Sequence, residues 1–427
     1  MSTILALVPA NKPRVTFVAQ NYAPEPSGNA PYTTDLAEGL NQRGWNVSVV
    51  TGYPYYPTWR VFPGYTGRKM TQWANGVSLE RIRSYIPRKP SLSRRLMMEM
   101  SFGLGSLFSH WNDPDVIVMV SPSLFAVWIA QRKARFLPKR PPVVVWVQDL
   151  YSKGATETGD VGGLGVRAIS SIERMVLARA DLVVAIHDRF KRHMVDELRV
   201  AARSITVVRN WTHIKPSTAD GLVFRRKFGW SDDEIVVLHA GNMGSKQGLE
   251  NVVEAARLAD ETNAAVRFVL LGGGNQRESL VALAQGIHRI EFLDSLEDRD
   301  FQGALAAADI LLVNERAGIA EMSVPSKLTS YFAAKRPVLA ATDSGSITSE
   351  EIALAGAGVR VDADSPDQLL AEAMALGNDP ARGDSYSRAG LTYQRQALDR
   401  NFAIDGYASI LRKLIDLRRG PLPASTI

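Results

Sequence analysis

The sequence predicts an α/β fold made of two Rossmann-like domains, each built on a doubly wound parallel sheet. Its 427 residues exceed what one hydrophobic core usually serves, which indicates two domains. Its apolar runs are continuous rather than alternating, as in strands that are covered on both faces. Several of these runs end in turns rich in Gly or Asn and lead into helical periodicity. We therefore expect ligands to bind beyond the carboxyl ends of the strands.

The composition is that of a soluble globular protein, with 45% hydrophobic and 22% charged residues. The chain has no cysteine, which excludes disulfides, thiolate metal sites and cysteine nucleophiles. Its 6 histidines have no HExxH or HxH spacing, and no uncharged apolar run reaches about 18 residues. The first residues lack the basic start of a signal peptide. A cytoplasmic enzyme without a protein-bound metal is the expectation.

The charge is divided unevenly along the chain. Residues 1–215 hold 28 Lys/Arg and 15 Asp/Glu, whereas residues 216–427 hold 22 and 29. The net charges of +13 and −7 add to the +6 of the whole chain. A basic half implies an anionic partner, either nucleic acid or a membrane surface. Because no RNP or KH signature accompanies these charges, the sequence favours a membrane surface and no nucleic acid.

The first half begins with alternating strands and helices. The predicted strands are residues 14–19, 46–50, 116–120, 143–147, 182–186 and 205–208. The loop after the first strand, residues 21–30, is rich in Pro, Gly and Asn and precedes a helix at residues 32–40. It lacks GxGxxG, so dinucleotide binding is not favoured. Gly28 and Asn29 can approach a phosphate or a sugar, but they also suit a plain exposed loop.

Residues 51–76 are rich in aromatic side chains and proline. They are too apolar for a disordered linker, so we predict a folded flap. Aromatic rings in such a flap can stack on sugars or simply pack against one another, and the sequence leaves both open.

Segment 88–111 joins a basic start to an apolar helix. Its apolar members are Met97, Met98, Met100, Phe102, Leu104, Leu107 and Phe108. A helix lying on anionic lipid has this composition, and each nearby Lys or Arg adds roughly 1 kcal/mol of attraction. A core helix with a basic approach explains the segment equally well. A second basic cluster follows at residues 132–140.

The second half repeats the strand–turn–helix rhythm after a polar linker that ends near residue 220. The predicted strands are residues 234–240, 266–271, 289–293, 308–313 and 338–341. Glycine turns at residues 241–248 and 272–274 end the first two. Glycine lets backbone N–H groups approach a diphosphate closely, and Lys246 adds a positive charge.

Residues 321–340 form the last strand–loop–helix–strand unit that the sequence singles out. Pro325 suits the first turn of a helix, and Leu328, Tyr331 and Phe332 then share one helical face. The N-terminus of such a helix suits an anionic or hydroxyl-rich ligand. An ordinary βαβ unit has the same pattern.

Five stretches together resemble the retaining GT-B glycosyltransferases of family 4, in the branch of exopolysaccharide and O-antigen enzymes that includes the colanic acid fucosyltransferase. They are Tyr-Ala-Pro-Glu-Pro-Ser-Gly at 22–28, Val-Gln-Asp-Leu at 147–150, Arg-Asn-Trp at 209–211, Ala-Gly-Asn-Met-Gly-Ser-Lys-Gln-Gly-Leu at 240–249 and Val-Pro-Ser-Lys-Leu at 324–328. The resemblance implies an acceptor-binding domain at residues 1–215 facing a nucleotide-sugar domain at residues 216–395 across a cleft. It also implies that a helix within residues 396–427 crosses back to the first domain.

The resemblance further implies a donor site. Lys246, sharing the task with Lys327, contacts the diphosphate, and Glu321 binds hydroxyls of the donor sugar. The other implied donor-binding residues are Asn210, Gly241, Asn242, Gly244, Gln247, Gly272, Gly273, Ser323, Val324, Pro325, Ser326 and Ser330. The family uses no essential DxD-bound metal and no cofactor besides the donor substrate. Catalysis is mainly stabilisation of the departing diphosphate.

On the acceptor side the implied residues are Ser27, Gly28, Asn29, Gln148 and Asp149. Asp149 follows a predicted strand, where its carboxylate can orient or deprotonate an acceptor hydroxyl or merely cap a helix. The chain departs from the family at three positions. Asn242 stands in place of a common Arg, Ser330 in place of the second acid of the family's paired-glutamate motif, and Gln148 in place of a common His. We interpret these changes as divergence in donor handling.

The leading hypothesis is transfer of a hexose or deoxyhexose from a nucleotide-diphosphate sugar to a lipid-linked or glycan acceptor. The enzyme is expected to be cytoplasmic and peripheral at the inner face of the plasma membrane, through segment 88–111. A nucleotide-sugar epimerase on the same fold is one alternative, although the carboxylate–His set that it needs is not evident. A catalytically degenerate, membrane-associated assembly factor is another. The sequence does not determine the nucleobase, the sugar, the acceptor or the linkage.

Overall fold

The structure, a computed structural model, describes residues 12–26, 28–89, 91–153, 163–212, 220–318 and 327–419. It divides into two compact units. Unit 1 consists of Met1–Arg209 and Arg400–Ile427, and unit 2 of Asn210–Asp399. The divisions therefore fall after Arg209 and Asp399, where the sequence reasoning placed them after residues 215 and 395.

Unit 1 is built on an eight-stranded sheet with the order β3-β4-β2-β1-β5-β6-β7-β8. The strands are β1 (Arg14–Val18), β2 (Asn46–Gly52), β3 (Lys69–Ala74), β4 (Val77–Ile82), β5 (Val116–Ser121), β6 (Val143–Val147), β7 (Leu182–Ala185) and β8 (Ile205–Val207). The helices between them are α1 (Ala30–Gln42), α2 (Leu92–Leu107), α3 (Leu124–Phe136), α4 (Gly163–Ala178) and α5 (Asp188–Asp196). The central strands β1, β5 and β6 are almost wholly buried, which explains their continuous apolar runs.

The edge of this sheet differs from the predicted flap. β3 and β4 pair in antiparallel fashion, with Ala74 opposite Val77, so only Asn75 and Gly76 connect them. Both connecting residues have positive φ, 49° and 80°. This Asn-Gly hairpin turn is a strong local signal that the sequence reasoning overlooked because it weighed only the aromatic content. The remainder of the flap, residues 53–68, is a loop of turns and bends.

Unit 2 is built on a six-stranded parallel sheet with the order β11-β10-β9-β12-β13-β14. The strands are β9 (Ile235–Ala240), β10 (Val266–Leu271), β11 (Ile290–Leu293), β12 (Ile310–Asn314), β13 (Val338–Ala341) and β14 (Gly358–Val361). The helices are α6 (Gly221–Phe228), α7 (Glu250–Glu261), α8 (Arg277–Leu283), α9 (Asp298–Ala307), α10 (Lys327–Ala333), α11 (Ile347–Ala355), α12 (Pro366–Gly377) and α13 (Pro380–Ala397). Separate apolar clusters cover the two faces of this sheet, which confirms the doubly wound arrangement.

The last helix, α14 (Arg400–Arg419), belongs to unit 1 although it follows unit 2 in the chain. Its Tyr407 ring lies 5.3 Å from the Trp146 ring of β6, and Arg400 forms an ion pair with Asp35 of α1 at 2.6 Å. Unit 1 therefore carries 32 Lys/Arg against 17 Asp/Glu, and unit 2 carries 18 against 27. The resulting net charges, +15 and −9, separate the two units more sharply than the division by sequence halves did.

Each sheet has one point where the strand order reverses. In unit 1 this point lies between β1 and β5, and in unit 2 between β9 and β12. Ligands of open α/β sheets bind beyond the carboxyl ends of the strands at such a point. We therefore expect binding sites at the loops after β1, β5 and β6 in unit 1 and at the loops after β9, β10 and β12 in unit 2.

Candidate functional site

In unit 2 the two glycine turns pack against each other, backbone to backbone. The N–H of Met243 donates to the carbonyl of Gly273 at 2.8 Å. A β-carbon on Gly272 would lie 2.2 Å from the carbonyl oxygen of Gly241, and one on Gly274 would lie 2.3 Å from that of Met243. Glycine at 272 and 274 is thus required by contact between the turns, whereas Gly273 faces open space. Of these three glycines, only Gly273 leaves room for the close approach of a ligand that the sequence predicted, and that approach stays a prediction.

Side chains hold the turn at residues 241–248 in shape from within. Gln247 accepts a hydrogen bond from the N–H of Gly244 at 3.0 Å. Asn314, fully buried at the end of β12, donates to the carbonyls of Gln247 at 2.7 Å and Gly248 at 3.0 Å. Its own oxygen accepts from Asn251 of α7 at 2.8 Å. Asn314 therefore positions the turn. In the sequence, the only sign of this role is that a polar residue ends the apolar strand β12.

Lys327 brings a positive charge to this turn. It is the first residue of α10, and its ammonium nitrogen lies 3.3 Å from Nε2 of His239 in β9. The same nitrogen lies 3.6 Å from where a β-carbon of Gly241 would stand. His239 is fully buried, and burial followed by the Lys327 charge holds its pKa well below the usual range. A neutral imidazole can accept a hydrogen bond from the ammonium group, so His239 positions Lys327 beside the turn.

The half-buried carboxylate of Glu315 attracts the charge of Lys327. Glu315 accepts hydrogen bonds from the hydroxyls of Thr342 at 2.6 Å and Thr348 at 2.7 Å. Burial raises its pKa, while both hydroxyls and the Lys327 charge lower it. Burial lowers the pKa of Lys327 from 10.5 to about 8, and Glu315 partly offsets that effect. The region between β9 and β12 thus holds a cation in surroundings that penalise its charge, a typical feature of functional sites.

The other predicted donor-binding residues lie in different surroundings. Lys246 is exposed in a short turn of 3-10 helix, and its carbonyl accepts from the N–H of Arg316 at 2.9 Å. Asn242 is exposed, Ser330 is buried within α10, and Asn210 is the first residue of unit 2. The predictions for Glu321, Ser323, Val324, Pro325 and Ser326 fall outside the residues that the structure describes. Their roles stay predictions.

In unit 1 the predicted acceptor residues gather around Ser121, the last residue of β5. The Asn29 side chain donates to the carbonyl of Ser121 at 3.5 Å, and the Ser121 hydroxyl donates to the carbonyl of Asp149 at 3.4 Å. Gln148 is buried at the end of β6, and Gly28 is exposed with φ of 71°. Ser27 lies outside the described residues. The structure therefore brings the loops after β1, β5 and β6 together at one edge of the sheet.

Two buried glutamates that the sequence reasoning missed support this edge. Glu173 of α4 accepts hydrogen bonds from the backbone N–H groups of Tyr151 at 2.7 Å and Ser152 at 3.0 Å, two and three residues after Asp149. Glu99 of α2 accepts from the N–H of Phe125 at 3.1 Å. Burial raises the pKa of Glu99 to about 8 and also raises that of Glu173. Each carboxylate satisfies free N–H groups at the start of a helical segment.

Two negative findings apply to the described part of the chain. No three His, Cys, Asp or Glu side chains gather there in a way that could hold a metal ion. Asp362, which forms an Asp-x-Asp pattern with Asp364, accepts hydrogen bonds from Arg360 at 2.8 Å and from Gln368 at 3.2 Å. Among the same residues, no helix combines the length and the apolar character needed to span a bilayer.

Comparison with known proteins connects these two sites to one class of protein. Residues 27–211 match the model of the glycosyl transferase 4-like domain, and residues 234–379 match that of glycosyl transferases group 1. The chain is 32% identical over 330 residues to WcaI of Escherichia coli K12, which is assigned as a colanic acid biosynthesis glycosyl transferase. That match covers 73% of this chain and 79% of WcaI.

Two solved structures share the fold at low identity. Sucrose-phosphate synthase from Thermosynechococcus elongatus has a TM-score of 0.73 at 15% identity, covering 94% of this chain and 99% of that one. HepE from Anabaena, solved with UDP-glucose, has a TM-score of 0.67 at 14% identity, covering 94% and 99%. Both likenesses concern the two-sheet architecture.

Proposed function

The chain belongs to the GT-B glycosyltransferases that join a glycosyl transferase 4-like domain to a group 1 domain, and we propose a specific reaction for it. It moves a hexose or deoxyhexose from a nucleotide-diphosphate sugar to a lipid-linked or glycan acceptor of a cell-surface polysaccharide, with retention of the anomeric configuration. The observation that carries the proposal is the ammonium group of Lys327 beside the glycine turn at residues 241–248.

The donor half of the proposal follows from the charge at that turn. When the bond between the anomeric carbon and the diphosphate breaks, negative charge develops on the departing oxygen. A cation that is already positioned, and partly removed from water, stabilises this charge without reorganising. Lys327 meets both conditions, because His239 positions it and burial lowers its pKa. The predicted contacts of Lys246 with the diphosphate and of Glu321 with the sugar complete the donor site.

The acceptor half rests on the loops around Ser121. Asp149 lies at the carboxyl edge of the unit 1 sheet, where Glu173 caps the helical segment that begins two residues later. An acceptor hydroxyl held by Asp149 attacks the anomeric carbon on the face from which the diphosphate leaves. The hydroxyl proton passes to an oxygen of the departing diphosphate. The assignment of WcaI to colanic acid biosynthesis and the structure of HepE in complex with UDP-glucose support this class of substrates.

Membrane association is the second part of the proposal, and the outer face of α2, α3 and α4 supports it. Each of α2 and α4 contains one acidic residue, Glu99 or Glu173, and both are buried; α3 contains none. The exposed basic residues of this face are Arg94, Arg95, Arg132, Arg135, Arg167 and Arg174. Its exposed apolar residues are Met97, Met100, Leu104, Phe108, Phe136 and Leu164, with Phe108 and Phe136 exposed by 78% and 87%.

Such a face fits an anionic lipid surface. Six basic residues at about 1 kcal/mol each supply roughly 6 kcal/mol of attraction at low salt, to which inserted apolar side chains add. The structure also refines segment 88–111, because Met98 and Phe102 pack inward while Met97, Met100 and Leu104 face out. The helix therefore has a core face, as the core-helix alternative requires, and also an exposed apolar face. Contact of that exposed face with lipid stays part of the proposal.

Vesicle flotation tests the membrane proposal. The protein should float with phosphatidylglycerol vesicles at low salt, stay behind with phosphatidylcholine, and dissociate as salt rises. Replacing Leu104, which is 50% exposed, by Ser should weaken binding. Leu222→Ser, which changes a leucine of unit 2 that is 63% exposed, should not. Equal flotation of both variants, or no binding to anionic vesicles at low salt, contradicts the proposal.

A donor assay tests the reaction. UDP-, GDP- and dTDP-hexoses are incubated with the protein, with and without glucosyl-diphosphoryl farnesol as a short lipid-linked acceptor, and products are separated by mass. The proposal expects release of nucleoside diphosphate that increases with acceptor and is lost in Lys327→Met. An isomerised nucleotide-sugar formed without acceptor points instead to an epimerase. Unchanged polysaccharide production in cells carrying Lys327→Met points to an assembly factor.

A further inference from the structure

The loop at residues 53–68, which precedes the β3–β4 hairpin and is rich in aromatic side chains, has no role in the function proposed above. Two of its rings, Tyr56 and Trp59, lie half-buried with centroids 6.1 Å apart in an edge-to-face arrangement. A third ring, Tyr55, is buried beneath Trp59 at 5.5 Å. Trp59 has φ of 54°, a left-handed conformation that a bulky residue adopts only when its surroundings impose it. We call Tyr56 and Trp59 the aromatic platform.

Buried charges hold the platform in place. One carboxylate oxygen of Glu25 accepts from the N–H groups of Tyr55 at 2.8 Å and Tyr56 at 3.0 Å. The other accepts from the Asn21 side chain at 2.9 Å. Arg81, which is also buried, donates to the carbonyl of Ala23, and its charge attracts the carboxylate of Glu25. Burying a carboxylate and a guanidinium is costly, so their use under a surface loop indicates that the shape of this loop matters.

The platform connects two regions that the proposed function uses. On one side, a β-carbon on Gly28 would lie 4.0 Å from Cε1 of Tyr56, so the platform borders the acceptor loop. On the other side, the guanidinium carbon of Arg95 lies 5.3 Å from the Trp59 ring centroid. Arg95 belongs to α2, the first helix of the proposed membrane face. The platform therefore lies between the lipid-facing helix and the edge of the sheet that carries Asp149.

A lipid-linked acceptor must extend from the lipid-facing helix α2 to the edge of the sheet that carries Asp149. Its phosphate linkage begins at the membrane surface, and its sugar must reach the loops around Ser121. Arginine binds phosphate oxygens well, and flat, pre-positioned aromatic faces with few polar groups suit the C–H face of a pyranose ring. Resting on the proposed function, we propose that the aromatic platform binds the saccharide of the acceptor, while Arg95 binds the phosphate that links it to the lipid.

Direct binding measurements test the platform without depending on catalysis. Glucosyl- and galactosyl-diphosphoryl farnesol are titrated by calorimetry into the full chain in detergent, next to the methyl glycosides of the same sugars. Trp59→Asn suits the test because Asn tolerates the left-handed backbone at this position. Trp73→Asn is the matched control, since Trp73 is 70% exposed on the edge strand β3. Thermal melting of both variants verifies that each is folded.

The expected result is at least a tenfold loss of affinity in Trp59→Asn for both kinds of ligand, and none in Trp73→Asn. Arg95→Gln should weaken binding of the diphosphoryl farnesol ligands alone. In the transfer assay, Trp59→Asn should raise the acceptor KM while kcat at saturating acceptor changes less than threefold. Equal affinity of the two tryptophan variants, or no binding of any probe to the wild type, overturns the platform. Probe binding without transfer by the wild type refutes the proposed function and leaves the platform standing.

Discussion

Replacing Lys327 by Met should make the protein more stable and much less active. The two effects have one cause, which is that the ammonium group is held in surroundings that penalise its charge. Met keeps the apolar stem and removes the charge, so it separates the electrostatic role from the packing role of this side chain. The neighbouring His239 and Glu315 are left unchanged.

The stability effect can be worked from the pKa. Burial lowers the pKa of Lys327 from 10.5 to about 8, so the unfolded chain binds this proton more tightly between those values. Each pKa unit is worth about 1.4 kcal/mol, so the charge costs about 3 kcal/mol below pH 8, and the cost fades as pH rises towards 10.5. Because this net pKa already includes the attraction between Lys327 and Glu315, we expect the substitution to raise the free energy of unfolding by roughly 1–3 kcal/mol. That corresponds to a rise in Tm of roughly 2–10 °C for a unit of this size.

The activity effect comes from the transition state. A cation about 4 Å from a phosphate oxygen interacts by about 4 kcal/mol at an effective dielectric constant of 20. Loss of one positioned hydrogen-bond donor to the developing anion typically lowers kcat by about 10²–10³-fold, which agrees with that energy. We expect this loss in nucleoside diphosphate release, with a smaller change in donor KM.

The assays are thermal melting from pH 7 to 10 and the donor assay at pH 7. Lys335→Met is the control, because Lys335 is exposed and should change neither quantity measurably. The stability gain of Lys327→Met should shrink as pH rises. A variant that melts below the wild type at pH 7 refutes the burial argument. One whose kcat stays within threefold removes Lys327 from the reaction.

Three further predictions concern buried polar groups. Asn314→Ala leaves the hydrogen-bond partners of this side chain unpaired, so the free energy of unfolding measured in urea should fall by roughly 2–4 kcal/mol. The donor KM should also rise. An unchanged unfolding curve contradicts the positioning role. His239→Leu should lower kcat about tenfold and move the alkaline limb of the pH–rate profile to lower pH, because the charged form of Lys327 loses its acceptor. His239→Gln should restore most of kcat and most of the wild-type pH–rate profile, because Gln can again accept a hydrogen bond. If His239→Gln lowers kcat as much as His239→Leu does, His239 acts only through packing. Burial raises the pKa of Glu99 from 4.5 to about 8, so the wild type should lose stability as pH rises from 4.5 to 8. Glu99→Gln should remove this pH dependence. At pH 8.5 the variant should be more stable than the wild type by a few kcal/mol.

The sequence predicted most strands of the two sheets and the positions of the turns that form the candidate site. The apolar runs at residues 143–147, 266–271 and 338–341 coincide with β6, β10 and β13, because strands buried on both faces leave no alternative to a continuous apolar run. The glycine turns were located correctly, but the reason for two of their glycines is contact between the turns. Such contact joins residues about thirty positions apart, and no local pattern reveals it.

Buried polar partners were the residues that sequence reasoning missed. His239, Asn314, Glu99 and Glu173 each lie inside an element whose periodicity marks them only as interruptions of an apolar face. Their roles come from what lies opposite them, a lysine from α10 or a helix start two elements away. The Asn75-Gly76 turn is different, because its signal was local and was available before the structure.

By itself, the sequence determined that the chain is α/β, that it has two doubly wound sheets, and that glycine turns and a basic first half accompany them. Periodicity, turn chemistry and charge are properties of neighbouring residues, which is why they can be read directly. Only the tertiary structure decided that α14 adds its charge to unit 1 and that α2, α3 and α4 present a face with exposed basic residues and no exposed acid. Only it placed Lys327 between His239 and the turn of Gly241. Burial and contact depend on residues far apart in the chain, and these determine where a charge is costly and therefore where it can do chemistry.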